Sequence, residues 1–487
     1  MARGFGWQAG ATVAAKFVNL CGQVVLALLL VPEDFGLIAL ALTIHTAIMQ
    51  IQQRAGGQAL LVQRPTKFHV WATPALWISM SMGLLAGLLT LASAVPAAAM
   101  YGQPQLRGLI AILALVTPLH AIGMVARAKL QTEFRFPLLA RWAFCNRALT
   151  TAMTITLAWF GFKAYSFVIP LPVVAAVNSA VLWFFARPRI RRQLQLRRWP
   201  YLLATNSKVM LTFAAMQLIF QGDFIALGLF HGGLIVGIYS FAYGLSSNTA
   251  TVFSNSAAQI LLPSLSQIRH DPVRQGHAFI RTIRQLAIIA FPVSLTLAAV
   301  SEPLIQMVFP DRWHASVPLV QLLCLAAAVQ TVCFPSQALL MSQGRFTAAM
   351  CFAFVFGVVF FLGALACSRI GNSHAVACAV VISWLFFGPL QIHLAMRATG
   401  LSSWLAYRHL LKAAVIALPP AALAYSVRWV LPGGPLLDPA HLVTGCLIVA
   451  CLCPPLTWFI DREASRDGLD MLRRIAGRRA AGGEGNE

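Results

Sequence analysis

Residues 31–42 read VPEDFGLIALAL: a proline and two adjacent acids set between two long apolar runs. The chain has only 14 Asp plus Glu in 487 residues, so two together mark a place that meets water. The stretch reads as a hairpin loop, residues 32–35, between two helices that each cross a bilayer. Pro32 ends the first, and Glu33 and Asp34 open the second, where a helix favours negative charge. Carrying no Lys or Arg, the loop is expected to face outward.

The rest of the chain supports that reading. It is 59% hydrophobic and 10% charged, with a mean hydropathy of +0.75, where a soluble domain carries about 25% charged residues. Apolar runs recur near 9–31, 36–53, 71–95, 106–125, 139–160, 164–186, 207–230, 235–262, 285–309, 316–341, 346–368, 373–396, 410–431 and 438–460. Each is close to the roughly 20 residues a spanning helix needs. The expected fold is therefore an all-α polytopic membrane protein of about 14 transmembrane helices. Lys16, Asn19 and Gln23 interrupt the first run and no small-residue cleavage site follows it, so it is expected to stay as a helix.

Charge placement gives the orientation. With both termini cytoplasmic, 28 of the 36 Lys and Arg fall in inner loops and tails. Five fall in outer loops (Arg107, Lys163, Arg312, Arg369 and Arg428), and Lys16, Arg147 and Lys208 lie in or at the start of spans. A missed or invented span would scramble that alternation. The formal charge of +22 is thus spent in short gaps between apolar runs, which argues against a nucleic-acid partner. The tail DREASRDGLDMLRRIAGRR could lie on the inner leaflet as a basic amphipathic helix. The ten cysteines mostly sit inside apolar runs and read as packing residues.

Two pairs of segments match in the same order. GLIALALTI at 36–44 pairs with GIYSFAYGL at 237–245, and AKLQTEFRF at 128–136 with ALLMSQGRF at 338–346. A repeat after six helices keeps both halves in one orientation, the parallel-repeat plan of transporters. The expected organisation is an N-terminal six-helix bundle at 1–186 and a basic cytoplasmic linker at 187–206. A C-terminal six-helix bundle at 207–396, two additional transmembrane helices at 397–460 and a basic cytoplasmic tail at 461–487 follow.

The first hairpin, VPEDFGLIALALTIHTAIMQIQQRAGGQALLVQRP, resembles the signature of polysaccharide transporters. GDFIALGLFHGGLIVGIYSFAYGL at 222–245, LLPSLSQIRHDPVR at 261–274 and VFPDRWHASVPLVQLLCL at 308–325 are similar to further elements of that family. The resemblance is to Wzx-type oligosaccharide flippases, colanic-acid-exporter-like members of the superfamily that includes the MATE transporters. Pro310, where a Gly is common, and Gly222, before the Asp, depart from the pattern. The resemblance implies export of undecaprenyl-pyrophosphate-linked oligosaccharide across the bacterial inner membrane by alternating access. No cofactor is implied beyond an H+ or Na+ gradient. A polysaccharide polymerase and a chain-length regulator are the partners it suggests.

Ionisable groups inside spans are costly and therefore functional candidates. Lys16, Arg54, Arg147 and Lys208 are candidates for a cationic cavity that binds a pyrophosphate, with topology or snorkelling as the competing reading. Asn19, Gln23, Asn248, Asn255 and Gln259 are candidates for a polar path, or for contacts that glue helices together. Asp223, flanked by Gln217 and Gln221, and Glu302 are candidates for ion coupling. A hydrogen bond to a neighbouring helix is the structural alternative for Asp223, and an interfacial position for Glu302. His45, alone on an apolar helix, reads as a helix contact. No phosphate-binding loop, catalytic motif or metal-ligand spacing occurs, so no catalytic residue and no metal are expected. A small-molecule exporter of the same superfamily and an integral membrane glycosyltransferase or polymerase remain the alternatives.

Overall fold

The computed structural model describes residues 21–55, 68–133, 135–188, 199–430 and 438–461, together with Val18, Leu61 and Ile190. Among them there is no strand. Residues 21–29 are helical. The first unit then adds α1 (Pro32–Ala55), α2 (Phe68–Ala92), α3 (Ala94–Met100), α4 (Leu106–Ala114), α5 (Val116–Thr132), α6 (Phe136–Trp159), α7 (Tyr165–Val168) and α8 (Pro170–Ala186). Two long helices follow, α9 (Trp199–Phe230) and α10 (Gly233–Gln267). Beyond them lie α11 (Pro272–Val308), a 3-10 turn (Asp311–Ser316), α12 (Val317–Cys333), α13 (Ser336–Ser342), α14 (Phe346–Ile370), α15 (Ser373–Met396), α16 (Trp404–Val430) and α17 (Asp438–Ile460).

Proline sets many of the boundaries, because it lacks the N–H that continues a helix but suits a first turn. Pro32 opens α1 rather than ending the helix before it, so residues 32–35, expected as a loop, are the first turn of α1. Glu33 and Asp34 lie in that turn as a helix N-terminus favours, with Glu33 exposed but Asp34 buried. Pro170 opens α8. Pro272 opens α11, where the Asp271 carboxylate caps the helix by accepting from the Arg274 N–H at 3.0 Å. Pro335 separates α12 from α13.

Eleven segments among the described residues are long and apolar enough to cross a membrane. They cover eleven of the fourteen expected spans. Of the other three, Val18 and residues 21–31, helical over 21–29, are the described part of the first. The fifth is α6, a 24-residue helix whose apolar character Asn146, Arg147 and several threonines dilute. The eighth is α10, apolar over Gly233–Ser247 within the described residues. Large apolar side chains stand on the outer surface, Phe459 at 81% and Phe386 at 65% exposure. Such a surface is stable against acyl chains rather than water.

Contacts divide the chain into two units, residues 1–244 with 346–380, and 245–345 with 381–487. This division follows packing, whereas boundaries at 186, 207 and 396 follow the repeat. In the first unit α14 packs along α9. The Ser368 hydroxyl donates to the Ala226 carbonyl at 3.0 Å, and a His231 ring nitrogen lies 3.0 Å from the Ser368 carbonyl. In the second unit α11 packs on α12, α16 and α17. There Asp461, just past α17, meets His409 Nδ1 at 3.1 Å and Lys412 Nζ at 3.8 Å on α16, with His409 and Asp461 both buried.

One crossing within the first unit bears on the repeat. A Cβ built on Gly36 of α1 would strike the carbonyl of Gly233, and one built on Gly237 of α10 would strike the carbonyl of Pro32. Gly36 and Gly237 are equivalent in the repeat, as are Pro32 and Gly233, so the contact is reciprocal. Gly233-Leu-Ile-Val-Gly237 is also the spacing that lets helix backbones touch in a bilayer. Cα–H groups facing carbonyls then add weak hydrogen bonds.

Candidate functional site

Polar residues of α1, α2, α5 and α8 in the first unit converge on one space. His45 and Gln52 on α1 are seven residues apart, and so are His120 and Arg127 on α5. That spacing is two helical turns and puts each pair on one face. Ser79 of α2 and Asn178 of α8 complete a small cavity whose wall includes Gln52, Gln53, His120 and Arg127. Its volume is about 20 Å³, room for about one ordered water.

The wall is held by bonds that leave specific groups over. Ser179 Oγ donates to the Leu119 carbonyl at 2.6 Å and Trp183 Nε1 to the Ile122 carbonyl at 2.8 Å, fixing α8 to α5. Lys129 Nζ donates to the Ala186 carbonyl at 2.6 Å and pairs with Glu133 at 3.6 Å. Trp142 Nε1 donates to Asn178 Oδ1 at 2.9 Å, which leaves the Asn178 NH2 as the donor over the cavity. Ser79 Oγ donates to the Ala121 carbonyl at 3.3 Å. Gln52 is 5% exposed; its Nε2 reaches the Ser79 carbonyl at 3.5 Å, while its Oε1 is buried with no partner among the described residues. Among the described residues, no acid stands on this wall. A guanidinium, an imidazole and amides around one space suit an anionic or hydroxyl-rich ligand.

A second polar cluster lies around α9. Asp223 is 2% exposed; Tyr239 Oη donates to its Oδ2 at 2.6 Å and the Phe224 N–H to its Oδ1 at 3.0 Å. The Phe224 ring meets Tyr239 and Tyr243 edge-on. Thr43 Oγ1 of α1 donates to Gln221 Oε1 at 3.0 Å, tying α1 to α9. Asp223 therefore has the hydrogen bond to a neighbouring helix that its structural reading requires.

The other expected residues are placed as follows. Lys16 and Asn19 lie outside the described residues, as does the basic tail. Arg54 ends α1 and Lys208 lies in α9, while Asn248, Asn255 and Gln259 lie in α10; the side chains of all five are outside the described set. Gln23 is half-buried beside Gly244, where a Cβ would come within 2.9 Å of its Nε2. Arg147 is exposed on α6 and is not on the cavity wall. Glu302 is half-buried on α11. His120 and Arg127 are the residues the sequence reading passed over, and the seven-residue spacing shared with His45 and Gln52 is the signal that marks them. No group of three His, Cys, Asp or Glu among the described residues could hold a metal ion.

Residues 25–318 match the family described as "Polysaccharide biosynthesis protein". The chain is 27% identical to the succinoglycan biosynthesis transport protein ExoT of Rhizobium meliloti, over 99% of this chain and 97% of that protein. It is 24% identical to the lipopolysaccharide biosynthesis protein WzxC of Escherichia coli, over 88% of each. Among solved structures, the lipid II flippase MurJ in an inward closed conformation superposes with a TM-score of 0.72 at 12% identity, covering 92% of this chain and 98% of that one. An inward-facing MATE multidrug transporter superposes at 0.58, also at 12% identity, over 87% and 100%. At these identities the superpositions establish the fold: a multi-pass, all-α transporter architecture.

Proposed function

The chain belongs to the polysaccharide biosynthesis protein family, and from that premise we propose that it flips lipid-linked oligosaccharide repeat units across the bacterial inner membrane. The observation that carries this reading is the end-to-end likeness to a succinoglycan transport protein. The anion-suited cavity of the first unit supports it, since an undecaprenyl-pyrophosphate cargo brings negative charge that must be met inside the protein. The fold shared with a lipid II flippase accommodates a lipid-borne cargo.

On this reading the chain makes and breaks no covalent bond. An H+ or Na+ gradient drives alternating access between bundles related by the repeat. Both termini lie in the cytoplasm, as the distribution of Lys and Arg requires. A polymerase and a chain-length regulator act on the cargo once it has crossed.

The test is depletion of the protein in its native host, followed by extraction of lipid-linked oligosaccharide. The expected outcome is accumulation that an externally added glycosidase cannot reach. Accumulation on the outside, unpolymerised, would favour a polymerase instead. An unchanged pool would favour export of a small molecule.

A further inference from the structure

At one membrane surface of the second unit α16 starts and α17 stops, and their ends carry a cluster of charge. His409 Nδ1 lies 3.1 Å and Lys412 Nζ 3.8 Å from the same oxygen of Asp461. Asp461 and His409 are buried, while the Lys412 side chain is 30% exposed. Arg408 beside them is exposed. Arg284 of α11, 9% exposed, is with Arg408 an electrostatic neighbour of the His409 ring. Two guanidiniums and an ammonium thus gather around one carboxylate. The other described acids of the second unit lie elsewhere. Glu302, Asp311 and Asp438 stand toward the opposite ends of α11 and α17, and Asp271 is about 20 Å from Arg284 along the helix axis.

Beside this cluster runs a seat for an acyl chain. Trp404, Arg408, Leu411, Val415 and Leu418 recur at alternate steps of four and three, which is one face of α16. All five are exposed, Trp404 at 61% and the three aliphatic residues between 52% and 56%. Along its length the face changes from an aromatic ring and a cation to bare aliphatic side chains. A phospholipid presents its headgroup and its chains in the same order, and Trp favours the headgroup level. Lys412 lies one turn beyond Arg408, about 12 Å along the helix. A charge that served topology alone would sit in the loop rather than at this depth. The Arg408 fork matches the oxygens of a phosphate, and the Lys412 ammonium keeps donors to spare after meeting Asp461. Arg274, His277 and Arg281, exposed near the start of α11, raise the positive potential at the same surface.

We infer that the start of α16 binds an anionic phospholipid. Arg408 and Lys412 hold the headgroup phosphate, Trp404 lies at headgroup level, and an acyl chain runs along Leu411, Val415 and Leu418. The lipid supplies the negative charge that Asp461 alone cannot, and so steadies the junction of α11, α16 and α17. The site is apart from the cavity of the first unit and does not depend on which cargo the protein carries. Only its assignment to the inner leaflet rests on the orientation proposed above.

The test is thermal unfolding of the full-length protein in a neutral detergent at rising amounts of phosphatidylglycerol, of phosphatidylcholine with the same chains, and of inorganic phosphate. Phosphatidylglycerol should raise the unfolding temperature until the site saturates. Phosphatidylcholine should act at least about fivefold more weakly, and inorganic phosphate should have no effect. R408Q and K412Q should each need at least about fivefold more phosphatidylglycerol for half the rise, and R408K should recover part of that loss. Each variant is compared with its own lipid-free unfolding. Where K412Q unfolds early because Asp461 has lost a partner, native mass spectrometry counts the lipid it retains. R269Q removes an exposed arginine from the turn before α11, at the same surface, and should behave as the parent. Unchanged affinity in R408Q, equal losses in R269Q and R408Q, equal stabilisation by the two phospholipids, or stabilisation by inorganic phosphate would each overturn the inference. So would tighter binding of undecaprenyl phosphate at an Arg408-dependent site, which would give the site to the cargo. Because the measurement is made in detergent, an inverted topology would move the site to the other leaflet and leave the binding result standing.

Discussion

Asp223 shows what a single buried acid demands of its neighbours. Its two oxygens take one bond from Tyr239 and one from a backbone N–H, and charge-assisted bonds of this kind are about twice as strong as neutral ones. Y239F keeps the aromatic packing on Phe224 but removes one of the two donors. The expected loss is about 1–3 kcal/mol, read as earlier thermal unfolding in detergent. D223N should cost less, because the amide can keep both contacts: its oxygen accepts from the Phe224 N–H and its NH2 donates to the Tyr239 hydroxyl. Sequence inspection finds Asp223 easily, since an acid inside an apolar run stands out. It does not find Tyr239, because an aromatic 16 residues away looks like any other lipid-facing or packed ring. His120 and Arg127 were obscured for a related reason. Each is an isolated polar residue in its own helix, and only folding brings α1, α2, α5 and α8 together around them.

At the scale of elements, the hairpin stretch is legible because the physics is local: a proline, two acids in a first turn and an apolar face are enough to place α1. What the sequence does not disclose is how near α1 comes to α10. Carbonyl oxygens are fixed to their helices and cannot rotate away, so a methyl group at Gly36 or Gly237 must push the helices apart. Overpacking a tight contact typically costs about 1–3 kcal/mol, and G36A and G237A are each expected to reach the upper part of that range and to lose transport. Gly222 offers a control: the nearest atoms a Cβ there would meet belong to the Phe360 and Phe361 rings, the first at 3.3 Å. G222A should be close to neutral in unfolding temperature, because rings can shift and Ala suits a helix better than Gly by about 0.5–1 kcal/mol. Equal damage from all three substitutions would show that helix separation is not the cause.

For the whole molecule, the sequence settles the all-α membrane architecture because hydropathy and charge alternation sum over the entire chain. The orientation it implies can be checked on α11, which has an exposed acid before its start and another just beyond its end, Asp271 and Asp311. In a background lacking the ten native cysteines, D311C should react with an impermeant maleimide added outside intact cells. D271C should react only after permeabilisation; the opposite pattern would invert the topology. The reciprocal crossing of Gly36 and Gly237 has one more consequence. A contact in which each of two equivalent residues meets the other's counterpart is the form of an interface between identical subunits. A chain of half this length could make that contact only by dimerising, at a cost in lost translational and rotational freedom of about 4–15 kcal/mol. Joining the halves by a peptide linker removes that cost, and each copy is then free to diverge on its own side of the crossing.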